Sequence, residues 1–298
     1  PRSGGKGKGG RKWVAAAPGA GFSETAEFLN VFQKEKVAPT WYERKLWQLY
    51  DVPNYAINFH NLPTVAYSGE KDSQKQAADV MVKAMGEVGL DLVHLIGPGT
   101  GHSYHPATRQ QINERIDRLV AKGRERVPAR VRFATPTLRY HEAFWVSLEG
   151  MQEHWKIARV DATLNGSAIS VTTSNVSALR LRFGPGDTLA GGITSVFLDG
   201  ARVELPPQKP RSDRSWEQVF TRGPKGWTTT EPTGLRKQPG LQGPIDDAFL
   251  DRFLFVRPTG KALHDKTAAW QKAEMERAIK EWRRQMRGDA IVKDDKDI

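Results

Sequence analysis

"LPTVAYSGEKDSQKQAADVMVKAMGEVGLDLVHLIGPGTGH", residues 62–102, sets the reading of the first part of the chain. Its opening apolar run predicts a short buried strand that ends in a turn at Ser68 and Gly69. Ala77, Met81, Met85 and Val88 then recur at helical spacing on one face, and "LDLVHLIG" predicts a further strand. The stretch closes on a loop with three glycines, Gly97, Gly99 and Gly101, and with His102 at its end.

Outward from this stretch the pattern repeats. "ATRQQINERIDRLVAKG" predicts a helix with Ile112, Ile116 and Leu119 inward and Gly123 as its stop. Upstream, "WVAAAPGAGF" reads as a strand feeding a loop, and a helix is expected from near Ser23, capped by its hydroxyl, with Phe28, Leu29 and Phe32 toward a core. Trp41, Tyr42, Trp47 and Tyr50 are expected in the core or in a cleft wall. Strands alternating with helices predict an α/β region over residues 13–127, a parallel sheet with helices on both faces and sites gathered at the carboxyl ends of its strands.

The texture changes near residue 128. Segments such as "RVRFATPTL", "AFWVSLEG" and "WKIARVDATLNGSAISVTTSNVSALRLRFG" are rich in valine, threonine and aromatics, which predicts a mainly β domain over residues 128–207. Asn165 and Gly166 mark a hairpin within it. Residues 208–298 read as loop-rich, ending in a helix with Met275, Ile279, Trp282 and Met286 at helical spacing. Residues 1–12, glycine-rich and basic, read as a flexible tail.

Composition narrows the classes of function. The 298 residues are 38% hydrophobic and lack any apolar run long enough for a membrane span or a signal peptide, so no membrane partner is expected. Without cysteine there is no disulfide, thiolate metal site or cysteine nucleophile. The net charge of +11 is spread along the chain with no nucleic-acid-binding signature, so no nucleic-acid partner is expected either.

The loop "LIGPGTGHSYHP", residues 95–106, has three readings. A phosphate cradle needs G-x-G-x-x-G or a Gly-Lys-Ser/Thr ending, and neither spacing is present. A metal site could draw on His94, His102 and His105, but no carboxylate stands at ligand spacing, and no cofactor or metal is expected. The third reading makes the loop the mount of a general base. In α/β-hydrolases an acid follows one strand and the histidine follows the next, and Asp72 has the acid's position relative to His102. Glu70 could be the acid instead, and Asp72 could merely cap the helix that follows it.

Residues 62–102, with "KWVAAAPGAGF" before them and "GLQGPIDDAFLDRFLFVRPTGK" and "AIKEWRRQM" after, resemble the acid-to-histidine half of a prolyl oligopeptidase-type α/β-hydrolase with its C-terminal extension. The resemblance spans most of residues 13–290 and implies a partial α/β-hydrolase fold, Asp72 as orienting acid, His102 as general base, no metal, and a peptide or ester substrate. A nucleophile of type G-x-S-x-G should precede Asp72, but the motif occurs nowhere in the chain. Ser3, Ser23, Ser68 and Ser103 are all poorly placed for it. The expectation is therefore an incomplete serine hydrolase whose serine lies outside these residues, with a pseudo-hydrolase as the weaker account. The alternative is a binding or scaffold protein whose β-rich domain recognises a glycan, a peptide or another subunit.

Overall fold

The computed structural model describes residues 13–19, 21–188, 192–207, 211–249 and 252–298, and the expected tail at residues 1–12 lies outside them. The chain forms two compact units that divide between Leu241 and Gln242. The first combines helices with a parallel sheet and then two mainly antiparallel sheets, a mixed α/β architecture.

Its elements begin with α1 (Thr25–Glu27), which runs on as a π-helical turn, Phe28–Gln33, and with α2 (Trp41–Trp47). A 3-10 helix, Val52–Asn61, leads into β1 (Val65–Gly69), α3 (Lys75–Glu87), β2 (Val93–Gly97) and α4 (Pro106–Lys122). Strands β1 and β2 pair in parallel, from Val65↔Val93 to Gly69↔Gly97. On the far side of β1 the extended segment 13–19 bridges Ala16 to Thr64 and Gly19 to Tyr67, also in parallel.

Side chains alternate across a strand, so the two helices that flank β2 take opposite faces. Val65, Tyr67 and Leu95 pack on Ile112 and Ile116 of α4. Ala66 faces the other way and shares a small apolar cavity with Ala77 and Met81 of α3. Gly123 stops α4 with φ +75°, a conformation that glycine alone adopts without strain.

The start of the chain differs from the sequence expectation. Ser23 does not cap α1: Glu24 holds the N-cap position, and the free amide of Thr25 is taken by the carboxylate of Asp51 at 2.8 Å. Ser23 is instead buried, and its Oγ has no hydrogen-bond partner. Phe32, Trp41, Tyr42 and Tyr50 are exposed, so this aromatic segment does not form a core. The helix is too short and irregular to hold all its apolar residues on one buried stripe.

From Arg130 onward two five-stranded antiparallel-rich sheets face each other. In chain order the strands are β3 (Arg130–Thr135), β4 (Glu142–Ala143), β5 (Val146–Met151), β6 (Ala158–Asn165), β7 (Ala168–Ser174), β8 (Val176–Phe183), β9 (Ser195–Leu198), β10 (Ala201–Val203), β11 (Trp216–Gly223) and β12 (Gly226–Thr228). One sheet runs β10-β9-β7-β6-β3 and the other β12-β11-β8-β5-β4. Inward residues from both, including Val131, Val160 and Ile169 against Leu148, Leu179 and Phe220, make a single core. The sheet continues past residue 207, because β11 pairs along β8 from Trp216↔Phe183 to Thr221↔Ala178. The hairpin between β6 and β7 forms as expected, but Asn165 pairs with Ala168, so Gly166 and Ser167 make the turn. Gly166 takes φ +61° there, the role for which a tight hairpin selects glycine.

The α/β part and the sandwich meet at β3, an edge strand. Asn58 in the 3-10 helix bonds both the carbonyl and the amide of Ala134, at 2.9 and 2.6 Å. Asn61 does the same to Arg130 O and Arg132 N, at 2.8 and 3.1 Å. Two side-chain amides thus complete a strand edge that would otherwise present unpaired groups.

In the second unit β13 (Phe255–Arg257) pairs in parallel with β14 (Val292–Asp294), and α5 (Asp265–Met286) lies between them in sequence. Trp282 of α5 meets Phe253 edge-on at 4.7 Å and Phe249 at 6.2 Å. Met286, at helical spacing with Trp282, is exposed.

Leu179 sits fully buried on β8, which pairs with both β5 and β11. Leu179→Ala should lower the stability of the sandwich by about 2–5 kcal/mol, whereas Ser170→Ala on an exposed face should change it by less than about 0.5 kcal/mol. Urea unfolding followed by the fluorescence of the buried Trp145 and Trp216 measures both, and equal effects would refute this core assignment.

Candidate active site

The site forms where β1 and β2 end. Because Gly69 and Gly97 are register partners, the loops that follow them leave the sheet side by side. Glu70 N donates to Gly97 O at 3.0 Å and Lys71 N to Thr100 O at 2.9 Å, so backbone bonds hold the loops together. Gly69 allows this approach: a Cβ there would collide with the carbonyl oxygens of Gly101 and Thr100. Gly97 is equally confined, by the Tyr67 hydroxyl and Thr100 Oγ1. Gly99 has φ +65°, so the turn itself needs glycine.

Tyr67 anchors the far end of the second loop. Its hydroxyl donates to Ser103 O at 2.8 Å and accepts from His105 N at 2.8 Å. Tyr104 stacks on the Tyr67 ring with centroids 4.5 Å apart. His105 is the N-cap of α4, where its ring accepts from Thr108 N.

This frame brings Asp72 and His102 together. Asp72 Oδ2 lies 3.1 Å from His102 Nδ1. Oδ1 accepts the Gln74 amide at 2.9 Å, which fixes the carboxylate against the start of α3. The two side chains are unequally exposed, 4% for Asp72 and 68% for His102. A buried carboxylate therefore meets an accessible imidazole through one ring nitrogen, and His102 Nε2 has no partner among the described residues. Neutral imidazole with Nδ1–H donated to Asp72 leaves Nε2 as a base.

The alternatives raised by the sequence now separate. Glu70 does not approach His102; its Oε2 accepts the Gly99 amide at 2.7 Å and so pins the loop. Asp72 does take a helix-start amide, as a capping residue would, and it meets His102 with its other oxygen. His94 and His105 are engaged elsewhere, and among the described residues no three His, Asp or Glu side chains converge on one point.

The sequence did not reveal a second row of groups on the α3 face. His94 Nε2 is 2.9 Å from Ser68 Oγ, and His94 Nδ1 is 3.8 Å from Asp79 Oδ1. Serine, histidine and aspartate stand in triad order, but Ser68 is fully buried and cannot meet a substrate. Period-two alternation along β1 and β2 could have indicated it, since Ala66 and His94 are register partners on one face and Ser68 follows two residues on. Ser23 is likewise buried, and no serine among the described residues is bonded to His102.

No protein-family model, curated protein or solved structure matches this chain. Among the described residues no helix is long and apolar enough to cross a membrane.

Burial, opposed by Asp79 and reinforced by Lys75, holds His94 below its ordinary pKa of 6.5. On acidification the unfolded chain therefore takes up this proton first, so the contribution of neutral His94 is complete above about pH 6.5 and is lost as the pH falls below it. Urea unfolding at pH 7.5 and pH 5 should show a smaller acid-induced loss of stability in His94→Gln than in the unaltered protein. An equal or larger loss in the variant would show that His94 does not carry this dependence.

Proposed function

We propose that the chain contributes the acid and base of a serine hydrolase of prolyl oligopeptidase type, cleaving peptide or ester bonds by acyl transfer. The observation that carries this reading is the buried Asp72 carboxylate 3.1 Å from Nδ1 of the exposed His102. Both stand in loops that follow adjacent parallel strands, with α3 between them, which is the order of acid and base in an α/β-hydrolase.

In the reaction His102 Nε2 takes the proton of a serine hydroxyl as its oxygen attacks the substrate carbonyl. The tetrahedral intermediate collapses when His102 returns that proton to the leaving amine or alcohol. Water then repeats the cycle on the acyl-enzyme and releases the acid. Asp72 holds the ring orientation throughout and offsets the imidazolium charge.

The serine is assigned to a strand beside the segment 13–19. Two observations support this place: no G-x-S-x-G occurs in the 298 residues, and among the described residues nothing pairs with the outer edge of that segment. A parallel strand there would end on the same side of the sheet as β1 and β2, where Nε2 of His102 has no partner among the described residues.

In the protein as its gene encodes it, a fluorophosphonate should label one serine outside residues 1–298, and the present chain alone should not be labelled. His102→Ala and Asp72→Asn in that encoded protein should lower kcat by about three to four orders of magnitude, while Ser68→Ala should leave it nearly unchanged. Stoichiometric labelling of a serine within these 298 residues, or full turnover in His102→Ala, would overturn the proposal.

A further inference from the structure

A cavity of about 630 Å³ lies at the other end of the parallel strands, between α4, the 3-10 helix and the first strands of the sandwich. Val14 and Pro63 wall it at the beginnings of the extended segment and of β1, whereas Asp72 and His102 follow the strand ends. A five-residue strand spans about 16 Å, so the cavity is separate from the candidate active site.

Three cations line it, Lys122, Arg124 and Arg130, against a single carboxylate, the exposed Glu125. Arg130 is already engaged by Asp161, at 2.8 and 2.7 Å. Arg124 is not: its guanidinium lies over the Phe144 ring, 3.9 Å from the centroid, and no carboxylate among the described residues pairs with it. Arg124 is half-buried. Stacking occupies the flat face of a guanidinium and leaves its N–H edge available for two parallel bonds to one oxyanion.

The wall around Arg124 is shaped at a cost. Phe144 has φ +55°, a left-handed conformation that bulky residues seldom take and that persists where the surroundings or a ligand contact require it. The local field is positive as well: besides burial, Arg132 and Arg130 lower the pKa of His60, which lines the same cavity, and Asp161 only partly opposes them.

We propose that this cavity is a binding site for a small organic oxyanion, a carboxylate or a phosphate monoester, held by the stacked Arg124 with Lys122 at its side. Arg124 supplies the paired N–H contact and Phe144 fixes the plane of the guanidinium. Lys122, at the end of α4, adds a second positive charge within the same lining. The site requires nothing of Asp72 or His102.

Inorganic phosphate and glucuronate serve as separate probes in calorimetry and in histidine NMR on the full chain at low ionic strength. Saturable one-to-one binding of at least one probe is expected, with a rise in the apparent pKa of His60 as the anion neutralises the local field. Preference for phosphate would point to a phosphate monoester, and preference for glucuronate to a carboxylate. Arg124→Gln should weaken binding about tenfold or more, Lys122→Gln should weaken it less, and Arg115→Gln, on α4 outside the cavity lining, should leave it unchanged. Absence of saturable binding by either probe up to about 10 mM would overturn the proposal. So would equal losses in Arg124→Gln and Arg115→Gln, which would mark nonspecific attraction to a basic protein. Lys122→Gln, at an exposed helix end, keeps the test decisive should Arg124→Gln fold poorly.

Discussion

The parallel pairing of Gly69 with Gly97 is the constraint on which the rest of the site depends. Five ladder positions fix where each strand ends, and the two glycines let the following loops touch through backbone atoms alone. Asp72 and His102 are thirty residues apart in sequence, but only a few loop residues separate each from its strand. A slip of one residue between the strands would turn the inward face outward and separate the loops together with their side chains. The geometry of the Asp72 and His102 pair is thus a consequence of sheet register, with Glu70, Thr100 and Tyr67 tightening it.

Burial divides the labour between otherwise similar groups. Asp72 is sealed beneath the start of α3 and His102 is open, a combination suited to an acid that orients and a base that meets substrate. In the Ser68, His94 and Asp79 row the histidine–aspartate exposure is reversed: His94 is largely sealed and Asp79 half open, and Ser68 is sealed as well. Chemistry follows access as much as spacing, and the inner row serves packing and polar satisfaction on the α3 face.

Much of the parallel region was legible because its signals are local and periodic. Ala77, Met81 and Met85 fall on one buried face as their spacing requires, and Gly123 ends α4. The Asp72 and His102 pair could be proposed because Asp72 follows one strand, and a helix and a second strand lead from it to His102. Other features were hidden because they depend on distant partners. Asn58 and Asn61 give no sign in sequence that they will complete the edge of β3, 69 to 76 residues away. Trp41 and Tyr42 resemble core residues by type, yet α2 carries them on the surface. The sandwich also reaches past the proline-rich segment near residue 207, since a linker-like composition does not prevent the next strand from returning to β8.

The tautomer of His102 offers the most direct test of the central claim, that Asp72 orients this ring as a base. Long-range proton–nitrogen NMR on the imidazole should find the neutral ring protonated at Nδ1 with Nε2 bare, and Asp72→Asn should shift the population toward the Nε2–H form. A neutral ring already protonated at Nε2, or a tautomer balance unaltered by Asp72→Asn, would contradict the account.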